Sequence, residues 1–400
     1  MQTALRRLSL AGMIWGLSAC SGCGAATSTA EHRHVPAESA NVGEASECRS
    51  PGRQVVDLPP VVDVELGFAH ACARAEDGRV WCWGLNRDGE LGDGTRADRL
   101  RPVRVRELPP SVGVALGVGH SCSVSREGEV HCWGADHAEQ LGDGPHSWDD
   151  PDRVPASSVP VRVAIASVQA IASSAAALHT CALHRDGGVS CWGSAGRGQV
   201  GPVEGRSLAT PVPVAVPPMR DVVVGQSHTC ALARDGGAYC WGAARSLRPE
   251  EGVNARLAPE LVALERAPEQ IVAGPSGACA VFTDRSESCW GAPLGWLPGR
   301  LAEGCEGLVL AGEAACARCD DRVECQGIDA YGVVAGGLEL ESTAGCLNTG
   351  PTVDLACGAY SCCVVTTEGA VHCWGDNRGG QLGLGYASPD VYDEAGDPVR

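Results

Sequence analysis

Short apolar segments that end in glycine recur along the chain and predict β-strands. Four of them are VVDVELG (61–67), VGVALG (112–117), DVVVG (221–225) and LVLAG (308–312). Each precedes a hairpin-like pair of stretches, and several units then continue through a polar, glycine-rich turn to a stretch such as PVRV at 102–105. The pattern predicts about four short strands per unit, with turns between them.

A pair of cysteines marks every unit, and the pair occurs seven times. The pairs are Cys72 and Cys82, Cys122 and Cys132, Cys181 and Cys191, Cys230 and Cys240, Cys279 and Cys289, Cys316 and Cys325, and Cys363 and Cys373. The first cysteines recur every 37 to 59 residues, a period typical of solenoids and propellers. Because four-stranded sheets repeated radially form a propeller, we expect an all-β fold, a seven-bladed β-propeller with one disulfide-stapled hairpin per blade.

The spacing within each pair fits a bond across a β-hairpin. A three-residue loop, 76–78, centres the first hairpin on Asp77 and sets Cys72 opposite Cys82, whereas a two-residue turn would place them on opposite sides. Facing Cα atoms lie about 4.5 to 5.5 Å apart, within the range of a disulfide. The sixth pair is nine residues apart with Asp-Asp at its centre, so spacing and loop length change together.

The same cysteines do not favour a metal site. One pair per unit, without a second pair or a consistent histidine nearby, cannot supply the four ligands of structural zinc. The Cys316–Cys319 segment has redox C-x-x-C spacing, but Cys316 already has a partner in its own hairpin. The NRDGELGDG segment (86–94) mixes acids with glycine without the spacing of a calcium loop, and predicts a tight turn. We therefore expect no metal and no cofactor.

The N-terminus has the order of residues found in export signals. Arg6 and Arg7 precede the apolar run 8–17, which is too short to span a bilayer. The LSAC sequence that follows resembles a bacterial lipoprotein signal, in which Cys20 becomes the acylated first residue of the mature chain. We expect a lipid-anchored protein of the bacterial cell envelope, at the outer membrane or the cell surface. Cleavage near 24–26, giving a secreted protein, is the alternative.

These observations divide the chain into three parts. Residues 1–19 are predicted to be a lipoprotein signal peptide, 20–52 a flexible tether, and 53–400 the propeller. The 53–60 segment aligns with 103–110, which forms part of the first unit. We expect the N-terminal strand to complete the last blade and close the ring.

The net charge limits the kinds of partner that the chain can bind, and the number of cysteines indicates the compartment in which it folds. The net charge of −18 repels phosphate, so binding to nucleic acid is not expected. Twenty-two cysteines in an exported chain indicate disulfides. Outside the hairpin pairs and Cys20, an odd number remains, so at least one is free or bonded to another molecule; these are Cys23, Cys48, Cys305, Cys319, Cys346, Cys357 and Cys362.

Two other residue types recur at fixed positions of the unit. A tryptophan follows the second cysteine directly in six units, as Trp83, Trp133, Trp192, Trp241, Trp290 and Trp374. One large ring per blade at the same place predicts packing between blades. Histidines stand two residues before the first cysteine, as His70, His120, His179 and His228. Their recurrence predicts structural hydrogen bonds, because a catalytic site needs one special residue.

The units resemble a known repeat family. The stretches 119–144, 227–242 and 373–385 are similar to the repeats of the regulator of chromosome condensation family. The resemblance covers about residues 53–400 and is strongest in repeats one, two, three and seven. It implies a seven-bladed propeller, and the paired cysteines suit an exported bacterial branch of the family. The founder's nucleotide exchange on a small GTPase is not expected of an exported, acidic chain.

The sequence carries no enzyme motif of the H-E-x-x-H, G-x-S-x-G or phosphate-loop type. We expect a non-catalytic, monomeric binding or scaffold propeller that touches the membrane only through its lipid and recognises a protein, or a glycan, with loops on one face. Candidate binding residues lie in two long connections, 144–155 and 291–305; they are Trp148, Asp149, Asp150, Asp152 and Trp296.

An enzyme of the lyase or hydrolase class, with its site in the central channel, is the alternative function. Acids or histidines that converge at the channel mouth from different blades would favour it, whereas a repeat-symmetric channel would favour the binding protein.

Overall fold

Twenty-seven strands form seven antiparallel sheets in the described part of the chain, and the sheets are the blades of a β-propeller. The predicted all-β, seven-bladed fold is confirmed. The structure is a computed structural model and describes residues 48–50, 52–145, 156–203, 205–243, 256–275, 277–291, 304–312, 314–329, 333–334 and 339–388.

The first three blades each contain four consecutive strands. They are β2 (Asp63–Leu66), β3 (His70–Arg74), β4 (Val80–Gly84) and β5 (Arg99–Arg104) in blade one, β6 (Ser111–Leu116), β7 (His120–Ser125), β8 (Val130–Ala135) and β9 (Ala156–Arg162) in blade two, and β10 (Val168–Ala172), β11 (His179–His184), β12 (Val189–Ser194) and β13 (Ser207–Val214) in blade three.

The remaining blades follow the same order, with three strands in blade five among the described residues. They contain β14 (Met219–Val224), β15 (His228–Ala233), β16 (Ala238–Gly242) and β17 (Arg256–Leu261), then β18 (Gln270–Ala273), β19 (Gly277–Val281) and β20 (Glu287–Gly291), then β21 (Glu306–Ala311), β22 (Ala314–Arg318), β23 (Val323–Asp329) and β24 (Glu339–Leu347), and last β25 (Thr352–Cys357), β26 (Ser361–Thr366) and β27 (Val371–Gly375).

The second strand of each blade is buried on both faces, because a neighbouring blade covers each side. In β7 all six residues are buried, and in β3 four of five are. Several of their side chains are small, as in Ala71-Cys72-Ala73, which lets adjacent sheets approach closely.

Each hairpin between strands two and three carries its disulfide at directly facing positions. In blade one Cys72 pairs with Cys82, and their Cα atoms are 4.1 Å apart. The turn places Gly78 at φ +83°, a left-handed conformation that glycine adopts without strain. In blade six the shorter spacing still sets Cys316 opposite Cys325. The prediction of one disulfide-stapled hairpin per blade is confirmed.

The N-terminal strand closes the ring. The strand β1 (Arg53–Gln54) pairs antiparallel with β27 and completes blade seven. Arg53 faces Cys373, just as Val103 faces Cys82 in blade one, so the predicted alignment of these segments holds residue by residue.

Three further disulfides lie outside the hairpins of the described chain. They join Cys48 to Cys346, Cys305 to Cys319, and Cys357 to Cys362. Of the cysteines that the sequence left unassigned, Cys23 lies outside the described residues. The number of disulfides indicates an oxidising compartment outside the cytoplasm.

The N-terminal segment joins the propeller before residue 53. Cys48 is bonded to Cys346, and Arg49 forms a parallel bridge with Leu347 of β24. Residues 48–50, which the sequence assigned to the tether, are therefore attached to blade six. The signal peptide and the other tether residues, apart from Gly52, lie outside the described residues. None of the described segments forms a helix that is long and apolar enough to cross a bilayer.

The blades define two faces and a channel. The loop face carries the connections between strands one and two and between strands three and four, such as 67–69 and 85–98 in blade one. The hairpin face carries the turns between strands two and three. There, Ser111 N–H donates to Gly78 O at 2.8 Å and so fastens blade two to blade one. The first strands of all seven blades line a central channel of about 350 Å³.

Candidate functional site

The five binding residues predicted from the sequence lie outside the described residues. Trp148, Asp149, Asp150, Asp152 and Trp296 are therefore not placed by the structure. The first four belong to the connection between β8 and β9, the third and fourth strands of blade two. Strand β8 ends and strand β9 begins at the loop face.

The repeated tryptophans join neighbouring blades, as predicted. Trp83, Trp133 and Trp192 are fully buried. The Trp133 indole N–H donates to Glu90 O of blade one at 2.8 Å, and the Trp192 N–H donates to Gln140 O of blade two at 2.9 Å. Trp133 and Trp192 thus fill the interface and tie their blades to the last turn of the preceding blade, which makes them structural.

The repeated histidines form a second set of links between blades. His70 Nε2 lies 3.0 Å from Ser121 Oγ, and His179 Nε2 lies 3.0 Å from Thr229 Oγ1. Burial, reinforced by a neighbouring histidine, lowers the pKa of His70 and of His179 to about 3. Burial lowers the pKa of His120 and of His228 to about 4. These imidazoles are neutral at pH 7, and the predicted structural role is supported.

The stabilising effect of His179 is expected to fade in acid. The unfolded chain takes up a proton near pH 6.5, whereas folded His179 takes one up near pH 3, so its contribution is complete above pH 6.5 and is lost as the pH falls. In urea unfolding, the stability difference between wild type and His179→Gln should shrink by about 2 kcal/mol between pH 7 and pH 5. Carboxyl groups are common to both proteins and cancel. A difference independent of pH would contradict this assignment.

The channel wall departs from repeat symmetry at one place. Glu65 faces Cys72, whereas the residues facing the other six first cysteines are alanine or valine. Two residues earlier in the first strand, three blades carry aspartate, as Asp63, Asp221 and Asp354. Blades one and seven are neighbours, and Asp354 Oδ2 accepts a hydrogen bond from Val64 N–H at 2.9 Å. Asp63, Glu65 and Asp354 form what we name the acidic wall.

Burial dominates the electrostatics of the acidic wall. It raises the pKa of Asp63, although the Arg74 guanidinium, 2.7 Å from Asp63 Oδ2, acts in the opposite direction. Burial also raises the pKa of Asp354, although hydrogen bonds from the Val64 and Leu355 N–H groups act to lower it. The pKa of Glu65 lies well above its usual range because of burial and then because of the Asp63 and Asp354 carboxylates.

An aromatic pair stands at the loop face of the same two blades. Phe68, in the β2–β3 connection, and Tyr360, in the β25–β26 connection, lie edge to face with ring centroids 5.4 Å apart. Phe68 is one of only two phenylalanines in the chain, and 42% of its surface is exposed to solvent. The neighbouring Ala359 lines the channel, so the pair lies at its entrance.

Possible metal ligands in the described chain are otherwise engaged. The 86–94 segment forms a tight turn in which Asn86 Nδ2 donates to Ala97 O at 3.0 Å, and Asp93 pairs with Arg99 at 2.7 Å. Two clusters with metal-like spacing, Cys316/Cys357/Cys362 and Cys305/Cys319/Glu324, contain only cysteines that are in disulfides, whose sulfurs are not thiolates.

Family comparison agrees with this architecture. Two profiles of the "Regulator of chromosome condensation (RCC1) repeat" match the chain, one at 77–124 and the other at 61–90, 174–199, 219–245 and 353–381. These segments of the chain are RCC1 repeats. The matched segments include repeat four, in which the sequence resemblance is weaker. No curated protein matches this RCC1-repeat chain significantly.

Solved structures share the propeller fold. Human WBSCR16 is 19% identical, with a TM-score of 0.67 over 77% of this chain and 87% of that chain. Prp20p of Saccharomyces cerevisiae is 20% identical, with a TM-score of 0.62 over 78% and 81%. The receptor kinase CR4 ectodomain of Physcomitrella patens is 19% identical, with a TM-score of 0.50 over 78% and 72%. At these identities the likeness shows the fold.

Sequence reasoning missed the acidic wall and the aromatic pair. The signal for the wall was present, since Asp63 and Glu65 interrupt the apolar segment 61–67, and Asp354 occupies the same repeat position as Asp63. The sequence carried no signal for the aromatic pair, because no local pattern reveals that the Phe68 side chain is exposed.

Proposed function

We propose that this RCC1-repeat chain is a non-catalytic binding propeller of the bacterial cell envelope, lipid-anchored at Cys20, that recognises a protein partner through its loop face. The fold supports a binding or scaffold role in general. Prp20p has binding properties toward Gsp1p and histones, and yeast RCC1 has been crystallised bound to Kap60, so propellers of this shape do serve as protein-binding surfaces.

The observation that carries the proposal is the aromatic pair, in which Phe68 is exposed and Tyr360 is half-buried. Phe68 and Tyr360 are held on a disulfide-stapled ring, and Cys357–Cys362 closes the connection that contains Tyr360. Rigid, exposed aromatic side chains are typical of the central contacts in protein interfaces. The net charge of −18 favours a partner with a basic surface.

A capture experiment from cell envelopes tests the proposal. The purified protein should retain a specific partner, identified by mass spectrometry, and the Phe68→Ala/Tyr360→Ala variant should lose it at least tenfold. The matched control is Val62→Thr/Val353→Thr, because these side chains are 39% and 48% exposed in the same two blades but precede the channel-lining residues at the hairpin face. Loss of capture by the control alone, or equal capture by all three proteins, would contradict recognition through the loop face.

A second candidate function has one observation in its favour. The acidic wall brings carboxyl groups from two blades together in the channel, which is the asymmetry expected of an enzyme site. The opposite wall offers Ala172 and Val223, and no second polar group stands at the level of Glu65 in the other blades. The binding role is therefore the better supported of the two.

A further inference from the structure

We propose that the acidic wall binds the cationic head of an organic ligand, an ammonium or guanidinium group, inside the central channel. The inference does not depend on the protein partner proposed above, because a free amine offers the same group as a lysine or arginine side chain.

The acidic wall has fewer cationic partners than carboxyl groups. Arg74 is bound to Asp63 through Nε at 2.8 Å and through Nη2 at 2.7 Å. Arg318, the cation next to Asp354 from blade six, has its guanidinium 2.7 Å from Glu306 Oε1 at the outer end of that blade's first strand. Asp354 receives backbone N–H groups, and no guanidinium reaches Glu65 in the described chain.

Glu65 is the unpartnered member of the wall. Its carboxyl has no hydrogen-bond donor and no ion pair among the described residues, while it lies close enough to Asp63 and Asp354 to be repelled by both. Glu65 is half-buried and lines the central channel, so its carboxyl is reached from the lumen. A carboxyl that has no protein partner at the wall of an open channel is available to a cation that comes from outside.

The rest of the channel favours an organic cation over a metal ion. The lumen opposite Glu65 is lined by aliphatic side chains such as Ile171, Val223 and Val272, which suit the methylene stem of an amine. Calcium requires about six to eight oxygen ligands. The wall offers three carboxyl groups, and Arg74 already occupies one of them.

Size and access agree with this ligand class. The channel volume of about 350 Å³ admits a chain of the length of a lysine or arginine side chain. A cation that enters from the loop face passes Phe68 and Tyr360, whose ring faces attract cations electrostatically. The aromatic pair at the entrance and the acidic wall therefore both lie at the junction between blade seven and blade one.

Isothermal titration calorimetry of the purified protein tests the inference, with n-butylguanidinium, putrescine and calcium chloride as probes. The two organic cations should bind saturably at pH 7, and the observed heat should vary with the ionisation enthalpy of the buffer because binding deprotonates Glu65. Affinity should therefore rise with pH. Glu65→Gln and Asp354→Asn should each weaken binding at least tenfold.

Asp221→Asn is the matched control, because Asp221 occupies the same strand position as Asp354 in blade four, across the channel. It should change affinity less than twofold. Glu65→Gln removes a repelled carboxyl and should unfold at no lower temperature than the wild type, which separates lost binding from lost folding. No saturable binding, equal loss with Asp221→Asn, or binding of calcium alone would overturn the inference.

A short peptide, Gly-Arg-Gly, identifies the source of the cation. Binding of the peptide at least as tight as that of butylguanidinium indicates that the channel accepts a protein side chain. Binding of the free amines alone restricts the ligand to a small molecule. Both results support the cation site, whereas capture of a partner tests the loop face separately, so the two proposals can fail independently.

Discussion

Complete reduction of the disulfides is expected to unfold the propeller at 37 °C. Each hairpin disulfide closes a loop of nine or ten residues, and chain-entropy reasoning assigns about 2 to 3 kcal/mol to each. Seven such terms are at least as large as the total stability of about 5 to 15 kcal/mol that is typical of a domain. Only 4% of residues are aromatic, so apart from the repeat tryptophans the blade interfaces are filled mainly by aliphatic side chains and cysteine.

Circular dichroism and thermal unfolding, with and without a phosphine reductant followed by alkylation, measure this effect. Alkylation without reduction is the control and should leave the spectrum unchanged. A fully reduced, fully alkylated protein that keeps its strand signal and its melting temperature would show that the disulfides do not hold the blades together.

Substitution Trp83→Ala is expected to cost about 3 to 5 kcal/mol of unfolding free energy. The ring is fully buried between blades seven and one, and its N–H donates to Gln381 O at 2.9 Å. The substitution leaves a cavity and an unpaired carbonyl at the junction that closes the ring. Trp83→Phe restores part of the volume without the donor, and should cost less than Trp83→Ala.

Trp81→Ala is the matched control, because Trp81 lies two residues earlier on the same strand but is only partly buried, with Arg79 over its ring at 5.5 Å. Its cost should stay near 1 kcal/mol. Urea unfolding of the three variants in parallel checks the order. Equal destabilisation by Trp81→Ala and Trp83→Ala would contradict the inter-blade role of the repeat tryptophan.

Local spacing was sufficient to predict the hairpins and the ring closure. A bond across a hairpin requires the cysteine spacing and the loop length to change together. In the pair Cys316 and Cys325 both the spacing and the loop are one residue shorter than in the other blades, and the two cysteines still face each other. The N-terminal strand could be recognised because Arg53 occupies the same repeat position as Val103 of blade one. The blade that it completes takes its other three strands from the C-terminal end of the chain.

The disulfide of the N-terminal segment and the candidate sites depend on contacts between distant parts of the chain. Cys48 meets Cys346 across 298 residues, so no local rule pairs them. Cys305 and Cys319, in contrast, flank Glu306 and Arg318, which face each other between β21 and β22. Asp354 approaches Val64 only because the last blade packs against the first. Periodicity identifies equivalent positions, but it does not reveal which inequivalent residues become neighbours.

Peptide mapping under non-reducing conditions tests the central claim most directly, namely that seven blades are each fastened by a bond across their own hairpin. After proteolysis, mass spectrometry should find Cys72 linked to Cys82 and the other six hairpin pairs linked in the same way, with Cys48 linked to Cys346. Cystines that join hairpins of different blades, or free thiols at these positions, would contradict it.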